Sequence, residues 1–135
     1  MAKIARGVLE IGKALLLGAA GGYLCCFVIF VCATSIHQNF RMPLFEVAGY
    51  AHLWSLFIGI VFGVLFYPPA HYLVVRRVGL LFGCTILAAG TIIGGFFGLI
   101  LLHALVAIAT AALGFLGGCA LLVAVDAENR EKSQR

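Results

Sequence analysis

Charged residues divide the chain into three long uncharged runs. The runs 14–40, 47–75 and 78–125 contain 27, 29 and 48 residues. A helix needs about 20 apolar residues to cross a hydrocarbon core about 30 Å thick. Each of the first two runs is therefore long enough for one span. As a single helix the third run would extend for about 72 Å. That is too long for one crossing, so we expect two spans joined by a tight turn.

This pattern predicts an all-α membrane protein, a bundle of about four transmembrane helices. Halving the third run places its turn near Ile100–Ala104. A transmembrane β-barrel is disfavoured, because its strands alternate apolar and polar residues and these runs are apolar on every face. The predicted spans are about 14–34, 48–67, 79–99 and 104–125.

Composition supports a single membrane domain over residues 1–135. Hydrophobic residues make up 64% of the chain and charged residues 10%, whereas soluble domains are about 45–50% apolar and about 25% charged. Such a chain needs the lipid bilayer as its surroundings. The net charge of +4 does not indicate a nucleic-acid partner, since the basic residues stand in ones and twos at the edges of the apolar runs.

The placement of Lys and Arg predicts the orientation. With four spans, eight of the nine basic residues lie on one side, and only Arg41 lies on the other. The basic side carries the N-terminal segment 1–13, the loop with Arg76 and Arg77, and the charged tail 126–135. Because cytoplasmic loops are enriched in Lys and Arg, we place both termini in the cytoplasm. The predicted location is the plasma membrane or a bacterial inner membrane, with the chain crossing it several times.

The N-terminal segment has two interpretations. Ile4, Val8 and Ile11 share one face of a helix over residues 3–13, and charged residues share another. This segment is either a separate amphipathic helix at the membrane surface or the polar first turns of the first span.

Two prolines also leave an alternative open. Pro68 and Pro69 follow the second predicted span. Because proline cannot continue the hydrogen bonding of a helix, we prefer the interpretation that they end this span. The alternative is a longer, kinked span that reaches Val75.

Glycine gives the clearest pattern within the apolar runs. Residues four apart share a helix face, and small residues there let two helices approach closely in lipid. These faces either pack within the chain or form an interface with another chain. The candidate packing positions are Gly18, Gly22, Gly59, Gly63, Gly83, Gly90, Gly94, Gly98, Gly114 and Gly118.

Candidate chemistry is sparse. The predicted spans hold no Asp, Glu, Lys or Arg, which disfavours ion-coupled transport because such carriers usually keep an ionisable group there. We find no set of nucleophile, base and orienting residue, so we expect a protein that is not an enzyme. The five cysteines include no C-x-x-C motif, and we interpret them as packing residues. We expect no metal.

The histidines offer one weak exception. His52 and His103 both map to the non-cytoplasmic side, and two histidines on facing helices are able to ligate a haem iron. The alternative is that they are interfacial side chains that hydrogen-bond to water and headgroups. We therefore expect no cofactor and keep this pair as the haem candidate.

The main functional hypothesis is a small non-catalytic membrane protein that is an accessory or assembly subunit. It would pack through its glycine faces against another membrane protein or against a second copy of itself. The alternative is a small homo-oligomeric channel or transporter. A weaker alternative is a haem-binding redox subunit.

Overall fold

The computed structural model describes residues 1–76, 78–101 and 104–135. Their structure is all-helical, with 92% helix, and four helices are long and apolar enough to cross a membrane. The predicted all-α architecture with four such helices is confirmed. Arg77 and His103, which entered the orientation and haem predictions, lie outside the described residues. The helices are α1 (Ala2–His37), α2 (Leu44–Val75), α3 (Leu80–Leu101) and α4 (Ala104–Gln134).

The four helices enclose a central axis. α1 packs beside α2, α2 beside α3, α3 beside α4, and α4 returns to α1. Both termini and the end of α2 consequently lie together, at what we call the terminal end of the bundle. There Lys13 Nζ lies 3.3 Å from Glu128 Oε2, and Asn129 Nδ2 donates to the carbonyl oxygen of Val75 at 3.2 Å. The loop 38–43 lies at the opposite end.

The N-terminal segment is part of α1. The helix runs without a break from Ala2 to His37, so residues 3–13 are its first turns and not a separate helix. Ile4, Val8 and Ile11 are exposed. The structure therefore agrees with the second interpretation, in which this segment forms the polar first turns of the first helix.

The prolines do not end α2, and the preferred interpretation was wrong. The helix continues through Pro68 and Pro69 to Val75, as the alternative had it. Proline removes two helical hydrogen bonds here, but Ala70, His71 and Val74 are buried against the bundle. Their packing keeps this segment helical, and prolines are tolerated in membrane helices for this reason.

One wide turn interrupts α2. Residues Ser55–Gly59 form a π-helical turn, and the Ser55 hydroxyl donates to the carbonyl oxygen of Ala51 at 2.6 Å. Buried residues recur every fourth position here: Val47, Ala51, Ser55 and Gly59. In an α-helix such residues drift by about 40° around the axis at each step. The wider π turn opposes that drift and keeps the buried face directed at α1.

The predicted turn near Ile100–Ala104 falls between the last two helices. α3 ends at Leu101 and α4 begins at Ala104. The intervening Leu102 and His103 lie outside the described residues.

Candidate functional site

Glycines bring α1 and α2 into backbone contact. A Cβ atom built on Gly22 would overlap the carbonyl oxygen of Gly59, and one built on Gly63 would overlap that of Gly18. The contact is reciprocal, because a Cβ on Gly59 would also overlap the Gly22 carbonyl oxygen. These four positions therefore have room only for glycine.

The glycines of α3 face phenylalanine rings of α2. A Cβ on Gly90 would overlap the ring of Phe66, whereas a Cβ on Gly94 would lie 3.4 Å from Phe62 Cδ1. The two rings are themselves stacked, with centroids 5.9 Å apart. The glycine face of α3 thus contacts its own chain at both positions.

The remaining candidate glycines contact α2, α3 or α4 with a single exception. A Cβ on Gly83 would lie 3.0 Å from Val74 Cγ2, and one on Gly98 would lie 3.0 Å from Ala107 Cβ. A Cβ on Gly118 would lie 2.9 Å from Leu87 Cδ1. The exception is Gly114, where an added Cβ would meet nothing within 4 Å.

A half-open cavity of about 420 Å³ lies between the four helices, and each helix contributes to its wall. Among the candidate glycines only Gly83 is not part of this wall. The glycine faces thus have two effects. They draw neighbouring helices together, and they leave the centre of the bundle without side chains to fill it.

The cavity wall is apolar. No Asp, Glu, Lys, Arg or His is found among the described residues that line it. The polar side chains in the wall are hydroxyls and thiols, and Thr110 donates its hydroxyl to the carbonyl oxygen of Val106 at 2.6 Å. Pockets for small molecules commonly measure about 300–1,000 Å³ and carry a few polar groups on apolar walls. These polar wall residues are Cys25, Cys26, Tyr67, Thr91 and Thr110.

A buried Tyr–His pair lies where the cavity approaches the terminal end. Tyr67 lines the cavity and is 4% exposed, and His71 is 2% exposed. Their ring centroids are 5.7 Å apart. Within the part of the chain that the structure describes, two buried side-chain polar atoms have no hydrogen-bond partner, and these are the Tyr67 hydroxyl and the His71 Nδ1.

The other nitrogen of His71 has a partner from α1. His71 Nε2 lies 3.4 Å from Oε2 of Glu10, whose side chain is 42% exposed. Glu10, His71 and Tyr67 therefore form a series that leads from the terminal surface of the bundle to the cavity.

Ion pairs connect the charged tail 126–135 to α1 at the surface of the terminal end. Glu128 lies 3.3 Å from Lys13 Nζ and 2.7 Å from Lys132 Nζ. The ammonium groups of Lys132 and Lys13 lower the pKa of Glu128 from its ordinary value, and Glu128 in turn raises the pKa of Lys132. The tail is thus tied to α1 and does not extend freely.

A second Tyr–His pair lies further along the bundle. The Tyr23 hydroxyl and His52 Nδ1 are hydrogen-bonded at 2.5 Å. His52 was one half of the predicted haem pair, and His103 lies outside the described residues, so that pair stays a prediction. Over residues 1–76, 78–101 and 104–135, no group of three or more His, Cys, Asp or Glu is placed to hold a metal ion.

Sequence reasoning missed the series Glu10, His71 and Tyr67. Tyr67 and His71 are four residues apart on α2, which is a visible spacing, but the prolines between them suggested a helix end. Glu10 and His71 are separated by 61 positions, so only the packing of α1 against α2 brings them together.

Comparisons with known proteins add no assignment. No protein-family model, curated protein or solved structure matches this chain. The functional argument therefore depends on the cavity and on the residues around it.

Proposed function

We propose that this chain is a small, non-catalytic integral membrane protein that binds an apolar molecule in the central cavity of its four-helix bundle. The observation that carries the proposal is the cavity of about 420 Å³ with glycines of all four helices in its wall. Protein interiors are normally close-packed. A bundle built only for stability would fill this space with larger side chains.

The chemistry of the wall favours an uncharged ligand. A charged group in an apolar cavity requires a counter-charge, and the described wall residues provide none. An aliphatic or isoprenoid chain would replace empty space with van der Waals contacts. The bilayer around the protein supplies such molecules at high concentration.

The glycine pattern no longer requires a second chain. The glycine faces of α1 and α2, which motivated the hypothesis of an accessory subunit or an oligomer, pack against each other through Gly18, Gly22, Gly59 and Gly63. Assembly with a partner or with a second copy stays a prediction. Transport by a homo-oligomer also stays a prediction. A cavity within one chain means that no further copy of the protein is needed to hold a molecule.

The proposal places both termini in the cytoplasm, in a plasma membrane or bacterial inner membrane. Its support is the excess of Lys and Arg at the terminal end. Lys3, Arg6 and Lys13 precede the first apolar run, and Arg130, Lys132 and Arg135 follow the last.

A cavity-filling variant tests the proposal. Decane that carries a photoreactive diazirine is added to the protein in lipid nanodiscs, and labelled residues are mapped by mass spectrometry. We expect saturable labelling of cavity residues that is lost, by more than tenfold, in Gly114→Leu. An added Cβ at Gly114 meets no neighbour within 4 Å, so the side chain should enter the cavity and occupy part of it without a clash at its first atom.

Gly12→Leu is the matched control. Gly12 also has no atom within 4 Å of an added Cβ, and it lies outside the cavity wall. Saturable labelling should persist in this variant. Labelling that is confined to lipid-facing side chains, does not saturate and is equal in both variants would refute a cavity ligand.

A further inference from the structure

Two buried side-chain polar atoms that have no partner among the described residues lie at the terminal end of the cavity, one on the cavity-lining Tyr67 and one on His71 beside it. Tyr67 and His71 are one helical turn apart on α2, and both are more than nine-tenths buried. Neither the Tyr67 hydroxyl nor the His71 Nδ1 has a hydrogen-bond partner among the described residues. Buried polar groups in folded proteins are nearly always paired. Two such atoms on rings whose centroids are 5.7 Å apart indicate a polar group that the described residues do not supply.

Glu10 determines what His71 offers to that group. A carboxylate only accepts hydrogen bonds, so the His71 Nε2 that faces Glu10 must carry the hydrogen. In the neutral imidazole the other nitrogen, Nδ1, is then an acceptor. The Tyr67 hydroxyl has no acceptor for its hydrogen among the described residues, so it is available as a donor. The pair thus presents one donor and one acceptor.

We propose that the cavity ligand is an apolar alcohol whose hydroxyl group binds between Tyr67 and His71, an inference that rests on the proposed function above. The ligand hydroxyl accepts from the Tyr67 hydroxyl and donates to His71 Nδ1. A ketone satisfies only the first bond. An alkane satisfies neither. A carboxylate lacks the donor and places a second negative charge close to Glu10.

Competition measures this preference directly. Diazirine-bearing decane labels the cavity, and unlabelled decanol, the methyl ketone of equal chain length, decanoate or decane is added at matched concentration in the nanodisc lipid. We expect decanol to compete at a concentration about tenfold lower than the ketone, because one further hydrogen bond distinguishes them. Decane should be weaker than both, and decanoate should not compete.

Tyr67→Phe is the decisive variant, because it removes one oxygen and keeps the ring. It should abolish the advantage of the methyl ketone over decane and reduce that of decanol by about tenfold, because decanol still donates to His71 Nδ1, while decane competes as in the wild type. The control is Tyr23→Phe, which removes a hydroxyl from the other Tyr–His pair and should leave the advantage unchanged. A positioning role for Glu10 predicts that Glu10→Gln reduces the advantage, since an amide no longer fixes which nitrogen of His71 carries the hydrogen.

The outcomes separate the two proposals. If decane gives no saturable labelling at all, the proposed function fails. If decane binds but decanol, ketone and decane compete equally, water satisfies the pair and the alcohol inference is overturned. Preferential competition by decanoate would also overturn it. Preference for farnesol supplied in the bilayer over hexanol supplied in water would identify a lipid-borne alcohol, and the reverse preference a water-borne one.

Discussion

The carbonyl oxygen of Gly59 occupies the position that a Cβ atom on Gly22 would need. One turn away, Gly63 and Gly18 repeat the same relationship. Water does not drive helices together inside a bilayer, so close approach and van der Waals contact must do so. The α1–α2 pair is therefore the tightest contact of the bundle, and it forms one side of the cavity.

We expect Gly22→Ala to destabilise the bundle. The new methyl group must displace backbone, for which an overpacking cost of about 1–3 kcal/mol is typical. Thermal unfolding in detergent micelles measures the effect. Gly12→Ala is the control, because its Cβ would meet no atom within 4 Å. Equal unfolding temperatures for the two variants would contradict the described α1–α2 contact.

Hydropathy and charge were sufficient to predict the four helices. Each apolar run is bounded by charged residues that cannot enter lipid cheaply, so run length determines the number of helices. The prolines of α2 show where local rules fail. Pro68 and Pro69 favour a helix end, but the burial of Ala70, His71 and Val74 outweighs the two lost hydrogen bonds.

The glycine positions were predictable, but their roles were not. Spacing places Gly90 and Gly94 on one face of α3 without saying what that face meets. In the structure it meets Phe66 and Phe62 of α2. The cavity depends on all four helix faces at once, which no single segment reveals. For the same reason the pairing of Glu10 with His71 was not visible in the sequence.

Two neighbouring glycines of α3 should respond differently to alanine. A Cβ at Gly90 overlaps the ring of Phe66 close to its attachment point, whereas one at Gly94 would lie 3.4 Å from Phe62, an ordinary contact distance. Gly90→Ala should therefore lower the unfolding temperature by several degrees, and Gly94→Ala should leave it nearly unchanged. If the glycine face of α3 instead served mainly to bind another chain, both variants would alter assembly in crosslinking and neither would alter unfolding.

A double-mutant cycle should detect the contact between Glu10 and His71. Removing Glu10 leaves both nitrogens of a buried imidazole without a partner among the described residues, so Glu10→Ala should be destabilising. In a His71→Leu background the same change should cost less. We expect a coupling energy of at least about 0.5 kcal/mol from unfolding in nanodiscs or micelles, as for other residues in contact. Additive effects would show that the 3.4 Å approach contributes nothing.

The tie between the tail and α1 should weaken in acid. Lys132 and Lys13 hold the pKa of Glu128 below its ordinary value of 4.5. A carboxyl group whose pKa is depressed in the folded state adds stability above its unfolded pKa, and this contribution is lost as the pH falls through the folded pKa. Hydrogen exchange of the tail 126–135 should therefore be slower in the wild type than in Glu128→Gln at pH 7, because Glu128 is charged there. The difference should disappear once the pH falls below the lowered pKa of Glu128, where this side chain is protonated. It should also shrink in high salt because these groups are exposed.

Glu131→Gln distinguishes this tie from general helix stability. Glu131 pairs with Arg135 within α4 at 2.9 Å, so its loss removes a charge from the tail without touching α1. We expect this variant to speed hydrogen exchange only in the last turn of α4. Glu128→Gln should also speed exchange at Asn129, whose side chain donates to the Val75 carbonyl oxygen. If the two variants changed exchange at Asn129 equally at pH 7, the effect would come from helix fraying, and the Lys13–Glu128 contact would not hold the tail.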